Sequence, residues 1–240
     1  MWPFTRNTSL DSIGIFNGFT DCHSHILPGV DDGIPDMEGA LQVLERYEQL
    51  GIGEVWLTPH VMEDIPNATV DLQRRFSELL AAYKGTVRLH LAAEYMLDNG
   101  FEERLNLNDL LCIQSSTIYS PSSILIETSY FNPPMELYAT IARIHEKGYQ
   151  PLLAHPERYI YMENGDYERL KGMGVHFQCN ITSLTGAYGK EASRKFTMFL
   201  AKGWIQALGT DIHRLESFNH AITQKCIDDR QKELLMAVKC

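Results

Sequence analysis

One alternation runs the length of this chain. A short apolar run closes on an imidazole or a carboxylate, and a longer amphipathic stretch follows and stops at glycine. The apolar runs fall at 18–23 (GFTDCH), 53–60 (GEVWLTPH), 87–94 (VRLHLAAE), 123–128 (SILIET), 151–157 (PLLAHPE), 175–182 (VHFQCNIT) and 205–213 (IQALGTDIH). Runs of this length, bounded by Gly, Pro, Asn and Asp, read as strands. Between them, residues 37–51 carry Leu41, Leu44 and Tyr47 on one helical face and stop at Gly51. Residues 132–148 open with Asn132 as a cap and Pro133 in the first turn and end at Gly148, and residues 189–203 end the same way at Gly203. Strands separated by helices pair in parallel. Seven of them predict an α/β fold of one domain, a closed or nearly closed barrel. Residues 1–17 read as an N-terminal extension and 18–240 as the domain, with no internal repeat or linker.

In a β/α barrel the carboxyl ends of the strands build the active site. Here those ends carry a consistent chemistry. The first strand ends in His23 and His25, with Asp32 on the loop beyond; the second ends in His60, the third in Glu94, the fourth in Glu127, the fifth in His155, and the last in Asp211 and His213. A single His-x-His is more often a pair of ordinary histidines in a turn, and aspartates on a Pro-Gly loop are usually turn formers. Recurrence at strand after strand outweighs that reading. His90, His145, His176 and His220 lie elsewhere and are expected to be structural.

Composition narrows the function. A net charge of −10 disfavours nucleic acid or an anionic membrane as a broad partner. Five cysteines without a Cys-x-x-Cys read as reduced thiols. No apolar run is long enough for a membrane span, and the N-terminus lacks the cationic start and apolar core of a leader, so the expected location is cytoplasmic. No cysteine is followed six positions later by arginine, which removes a thiolate phosphatase mechanism. "TGAYGK" has the wrong spacing for a P-loop.

Imidazole and carboxylate without thiolate suit Mn, Fe or Zn rather than Ca or Mg. Nine ligands are too many for one ion and about right for three divalent ions if one carboxylate bridges. Such a cluster generates hydroxide at neutral pH and neutralises a phosphoryl group in transfer, so its natural use is phosphate-ester hydrolysis. Arg158, in "HPERY", offers a planar fork for phosphate oxygens, although an arginine there is as often a salt-bridge partner.

The run "DCHSHILPGVDDG", followed in order by "TPH", "AAEY", "LIET", "AHPERY" and "GTDIH", resembles the polymerase-and-histidinol-phosphatase (PHP) superfamily. Within it, the chain is similar to the manganese-dependent bacterial tyrosine phosphatases of capsule and exopolysaccharide operons, the CpsB/YwqE group. The resemblance covers roughly residues 19–214 and implies a distorted (β/α)7 TIM-like barrel with a trinuclear metal centre, Mn in first place and Fe or Zn as alternatives. It assigns His23, His25, Glu94 and Asp211 to a first metal. Glu94 then bridges to a second, shared with Glu127 and His155, and Asp32, His60 and His213 hold the third. It also places Asn180 facing the site. Two departures stand out: only Arg214 follows the Asp-x-His, where relatives often carry further His or Arg, and the tail lacks the usual Asn-Pro element. The implied activity is removal of phosphate from protein phosphotyrosine, with a bacterial tyrosine kinase as partner and water on metal as nucleophile. A small-molecule phosphatase, such as one for histidinol phosphate, and a non-catalytic binding module are the alternatives.

Overall fold

The computed structural model describes residues 7–115 and 119–238; the expected extension at 1–17 therefore lies partly outside the described residues, as does the end of the domain. In chain order the strands are β1 (Thr20–Ser24), β2 (Glu54–Leu57), β3 (His60–Val61), β4 (Arg88–Leu91), β5 (Glu94–Met96), β6 (Ile113–Ser115), β7 (Tyr119–Glu127), β8 (Gln150–Ala154), β9 (His176–Asn180) and β10 (Ile205–Gly209). The helices are α1 (Met37–Leu50), α2 (Thr69–Ala82), α3 (Asn99–Leu107), α4 (Leu137–Glu146), α5 (Asn164–Gly172), α6 (Gly189–Lys202), α7 (Leu215–Thr223) and α8 (Asp229–Met236).

Among the described residues the named strands pair in parallel, except the short β6 on β7. β1, β2 and β4 form one sheet, and β3, β5, β7, β8, β9 and β10 follow in order in the other. The two expected strands at 53–60 and 87–94 are each interrupted. Pro59 has no N–H for the ladder and separates β2 from β3, while Ala93 turns its N–H to the carbonyl of Leu111 between β4 and β5. The pairing resumes in the same register beyond both breaks, Glu54 to Arg88 below and His60 to Glu94 above. Each broken strand thus carries the wall from one sheet into the next. The circle closes where Asp211 N–H donates to the His23 carbonyl at 2.8 Å and His25 N–H to that of Ile212 at 3.2 Å. This is the distorted seven-position β/α barrel.

Alternation sorts the strand side chains into two cores. Cys22, Trp56, Ala92, Leu125, Leu152, Ala154 and Ala207, joined by Ile113 of β6, form a small separate cluster, with one contribution or two from most wall strands, which fills the lumen. Their neighbours Val55, Leu57, Ile124, Ile126, Leu153, Phe177 and Leu208 belong to the larger core under the helices. In α1 the buried stripe is Ala40, Val43, Leu44 and Tyr47, so Leu41 is only half-buried, one position off the expected face. Asp36 caps this helix by accepting from Gly39 N, and Gly51 ends it at φ 81°. The expected start of the fourth helix is corrected: α4 begins at Leu137 after a turn, with no capping bond from a side chain, because Pro134 disfavours helical backbone at the residue before it. Leu10 and Phe16, from the segment before β1, are buried in the larger core, and Thr8 pairs with Ile227 ahead of α8.

The closing seam is clipped by Asp21. Its carboxylate accepts from the Tyr47 hydroxyl (2.6 Å), from the Thr210 hydroxyl (2.7 Å) and N–H (2.8 Å), and from His23 N–H (3.2 Å). Asp21→Ala strands these buried donors at about 1–3 kcal/mol for each one left unsatisfied. At 2–4 °C per kcal/mol for a chain of this size, four such donors put the expected fall in melting temperature at roughly 10 °C or more. An unchanged melt would mean that the seam is held by the strand ladder alone.

Candidate metal centre

The floor of the barrel mouth is built where strands end, and two of those ends depart from regular strand geometry. A register shift in β1 between Asp21 and Ser24 lets His23 turn inward directly after inward-facing Cys22. His155 follows inward-facing Ala154 and faces the same mouth because its backbone is left-handed, φ 34°. Asp211 is left-handed too, at φ 52°. Outside glycine such a conformation costs on the order of 1–3 kcal/mol and gathers at functional sites. Gly33 closes the loop after β1 where a Cβ would collide with His25 Cβ at 2.5 Å, so only glycine fits.

All nine residues expected from the sequence meet. His23 Nε2 lies 3.2 Å from Glu94 Oε2, and His155 Nε2 lies 2.9 Å from Glu94 Oε1. His60 Nδ1 is 3.0 Å from both Glu94 and Glu127. His25 Nε2 is 3.4 Å from Asp211, and His213 Nε2 is 3.4 Å from Asp32. Three sets of ligand atoms converge within 4.8 Å: His25, Asp32, His60 and His213; His23, His25 and Glu94; and His60, Glu94 and Glu127. These sets hold seven of the nine and overlap more than the resemblance implied; His155 and Asp211 belong to none of them and reach the cluster only through Glu94 and through His23 and His25. His25 belongs to two of them, and His60 stands between the Asp32 and Glu127 sides.

The donor set fits divalent cations. Glu94 Oε1 and Oε2, Glu127 Oε1 and His60 Nδ1 are buried without a hydrogen bond, although they approach one another to about hydrogen-bond distance. His23 Nε2 and His25 Nε2 stand 3.1 Å apart, close to the ~3.0–3.4 Å separating two nitrogens bound ~2.1 Å from one ion.

Electrostatics point the same way. Burial works against charge on Glu94, yet the imidazoles of His23 and His60 outweigh it and hold the carboxyl well below its usual range. Asp211 is likewise held well below its range against burial, by His23 and His25. Burial lowers the basicity of the imidazoles, but the carboxylates reverse it: His23 is raised by Glu94 and Asp211, His25 well raised by Asp211 and Asp31, and His60 pushed up to about 10 by Glu94. His213 alone among them is lowered, by burial and by His25. The carboxylates demand positive charge, from protons or from metal.

Several residues escaped the sequence reading. Asp31 and Asp32 divide the work of the loop. Asp31 is the buried one, accepting from His25 Nδ1 at 2.8 Å and from His60 N–H at 3.1 Å, whereas Asp32 is exposed at the mouth. Gln178 accepts from His23 Nδ1 at 2.7 Å. Asn180, placed here by the resemblance, donates to Asp211 Oδ2 at 2.7 Å. Tyr130 and Tyr188 sandwich Arg158, with ring centres 4.4 and 4.2 Å from its guanidinium carbon. No spacing rule predicts an aromatic sandwich across three loops. Above the floor opens a cavity of about 590 Å³, lined by His60, His155, Arg158, Tyr188, Asp211 and Arg214 among others. Arg214 therefore does reach the cavity. His90 does not; it stacks on Trp56 and pairs with Glu54 at 2.7 Å.

A family model described as capsular polysaccharide synthesis, CpsB/CapC, matches residues 19–235. The chain belongs to the CpsB/CapC family. Tyrosine-protein phosphatase YwqE of Bacillus subtilis is 27% identical over 221 residues, covering 89% of this chain and 84% of the relative. Tyrosine-protein phosphatase CpsB of Streptococcus agalactiae is 26% identical over 216 residues, 82% and 83% of the two chains. A chain from the crystal structures of YwqE from Bacillus subtilis and CpsB from Streptococcus pneumoniae, described as unique metal-dependent tyrosine phosphatases, superposes with a TM-score of 0.71 at 22% identity over 91% of this chain and 86% of that one. At that identity the likeness establishes the fold.

For this CpsB/CapC family member the raised imidazoles carry a pH signature. Their stabilising effect on the metal-free protein is full below the unfolded value near 6.5 and is lost as pH rises through the folded values, for His60 about 10. A cation must displace those protons. Metal uptake at pH 7–8 is therefore expected to release protons, and affinity to rise with pH across this window. Titration calorimetry in two buffers of different ionisation enthalpy reads this directly. Equal heats would mean that the imidazoles are already neutral.

Proposed function

We propose that this chain is a metal-dependent phosphatase that removes phosphate from phosphotyrosine in a protein, acting in the cytoplasm on a bacterial tyrosine kinase of capsule or exopolysaccharide synthesis. The reading is carried by one observation: seven imidazole and carboxylate side chains with converging ligand atoms, touched by His155 and Asp211 and holding carboxylate oxygens that lack hydrogen bonds, lie under a cavity into which an arginine projects. The names of its family relatives supply the tyrosyl substrate and the capsule context. His23, His25, Asp32, His60, Glu94, Glu127, His155, Asp211 and His213 would hold three divalent ions, Mn in first place and Fe or Zn as alternatives. Bound there, the ions would supply Lewis acidity toward water and phosphoryl oxygens.

The chain's own residues do the rest. Arg158 keeps its charge although burial opposes it, because Asp211 lies 2.7 Å from Nη1. Its fork would orient the non-bridging phosphate oxygens, and Tyr130 and Tyr188 would hold the guanidinium plane in place. Buried Asp31 would fix the ring of His25. The test is phosphate release after Mn²⁺ reconstitution on a phosphotyrosyl peptide, a phosphoseryl peptide and histidinol phosphate in parallel. Preference for the phosphotyrosyl peptide is expected. Faster turnover of histidinol phosphate would move the chain to the small-molecule phosphatases, and metal uptake with no turnover of any substrate would make it a binding module.

A further inference from the structure

A buried chain of amides joins the arginine of the cavity to the histidine at its floor. Arg158 Nη1 and Asn180 Nδ2 both donate to Asp211 Oδ2, each at 2.7 Å. Gln178 Nε2 donates to Asn180 Oδ1 at 3.1 Å, and Gln178 Oε1 accepts from His23 Nδ1 at 2.7 Å. Gln178, Asn180 and His23 are fully buried, where polar groups take their hydrogen bonds from one another.

The direction of every bond follows from chemistry. A carboxylate only accepts, so Asn180 must present its NH2 to Asp211 and its oxygen to Gln178. Gln178 must answer with its NH2, which leaves its oxygen for His23. A second anchor agrees: the backbone N–H of His155, which only donates, points at the same Gln178 oxygen at 3.3 Å. In the neutral ring His23 Nδ1 is therefore the protonated nitrogen, and Nε2 is left with its lone pair toward His25 and Glu94. The chain also divides Asp211. Oδ2 is taken up by Asn180 and Arg158, and Oδ1 faces His23 and His25 at 3.6 and 3.4 Å. Gly209 supports the arrangement by its size, since a Cβ there would meet His23 Cβ at 2.5 Å and Gln178 Nε2 at 2.7 Å.

We infer that Gln178 is a positioning residue that, through Asn180 and Asp211, sets the tautomer of His23 and so aims its Nε2 into the metal centre. The inference rests on the metal-centre reading above and adds to it a defined polarity running from the cavity to the floor.

The direct test uses the unmodified chain loaded with Zn²⁺, a diamagnetic probe. Long-range proton–nitrogen correlation of the His23 ring should show a protonated Nδ1 and a metal-bound Nε2; a metal-bound Nδ1 would overturn the inference. Gln178→Leu, near in volume but without the amide, should lower Zn²⁺ affinity by about 10–100-fold against a competing chelator while circular dichroism stays native. Asn180→Leu should do the same, and the double variant should be no worse than the weaker single, because the two amides act as one unit. Additive losses would show two unrelated packing defects and would overturn the inference. Wild-type affinity in Gln178→Leu alongside a large loss in His23→Ala would also overturn it while leaving the metal centre in place. If His23→Ala binds Zn²⁺ normally, the metal-centre reading itself fails.

Discussion

Glu94→Gln should strip the protein of more metal than any other single isosteric change at the mouth. Both oxygens of Glu94 are buried without a hydrogen bond, and together they face His23, His25, His60 and His155 at 2.9–3.4 Å. A carboxylate so placed would serve two neighbouring ions at once, and an amide of the same shape offers one oxygen and no charge. The expected loss of turnover is about 10³-fold or more, because each ~1.4 kcal/mol of lost transition-state stabilisation is tenfold in rate and a cation supplies several. Stability reports the same loss without reference to activity. Metal at 100 times its dissociation constant adds about 2.7 kcal/mol to the folded state. The wild-type melting temperature should then rise by roughly 5–10 °C on adding Mn²⁺, at 2–4 °C per kcal/mol. Glu94→Gln should show little of that rise. Elemental analysis finding full metal content in the variant would sink the bridging role.

Arg158→Ala is expected to keep the metal and lose the chemistry. Asn180 still holds Asp211 Oδ2 when the guanidinium is gone, so the ligand geometry of Asp211 should survive. What disappears is a charged fork held between two aromatic rings at the cavity wall. We expect kcat/KM to fall by roughly 10²–10³-fold, the scale of a lost oxyanion donor. Arg158→Lys should recover only part of this, because a point charge neither forks nor stacks between Tyr130 and Tyr188. The 2.7 Å pair with Asp211 gives the competing account, in which Arg158 is only a structural partner. That account requires a lower melting temperature with near-normal kinetics in the folded fraction. Metal content, melting temperature and kinetics measured on one preparation separate the two. Trapping a phosphorylated side chain during turnover would reject direct attack by water.

The nine residues that meet at the mouth were legible because barrel topology puts strand ends together whatever the details of packing. Period-two alternation and glycine stops located seven wall positions, and each ligand-type residue was read from its place at the end of one. Physics local to the chain was enough for that. It was not enough at His23 and His155, which face inward only through a register shift and a left-handed backbone. Alternation counted from Cys22 or Ala154 would send both side chains outward. Nor could it separate Asp31 from Asp32, two identical side chains one position apart, of which one is buried against His25 and the other exposed. The sequence by itself determined the parallel α/β barrel, the chemistry of its mouth and the family to which the chain belongs. The tertiary structure decided how the nine side chains group and that Gln178, Tyr130 and Tyr188 join the site. Those outcomes depend on hydrogen bonds and ring contacts between residues far apart in the chain, and a pattern of spacings carries no term for them.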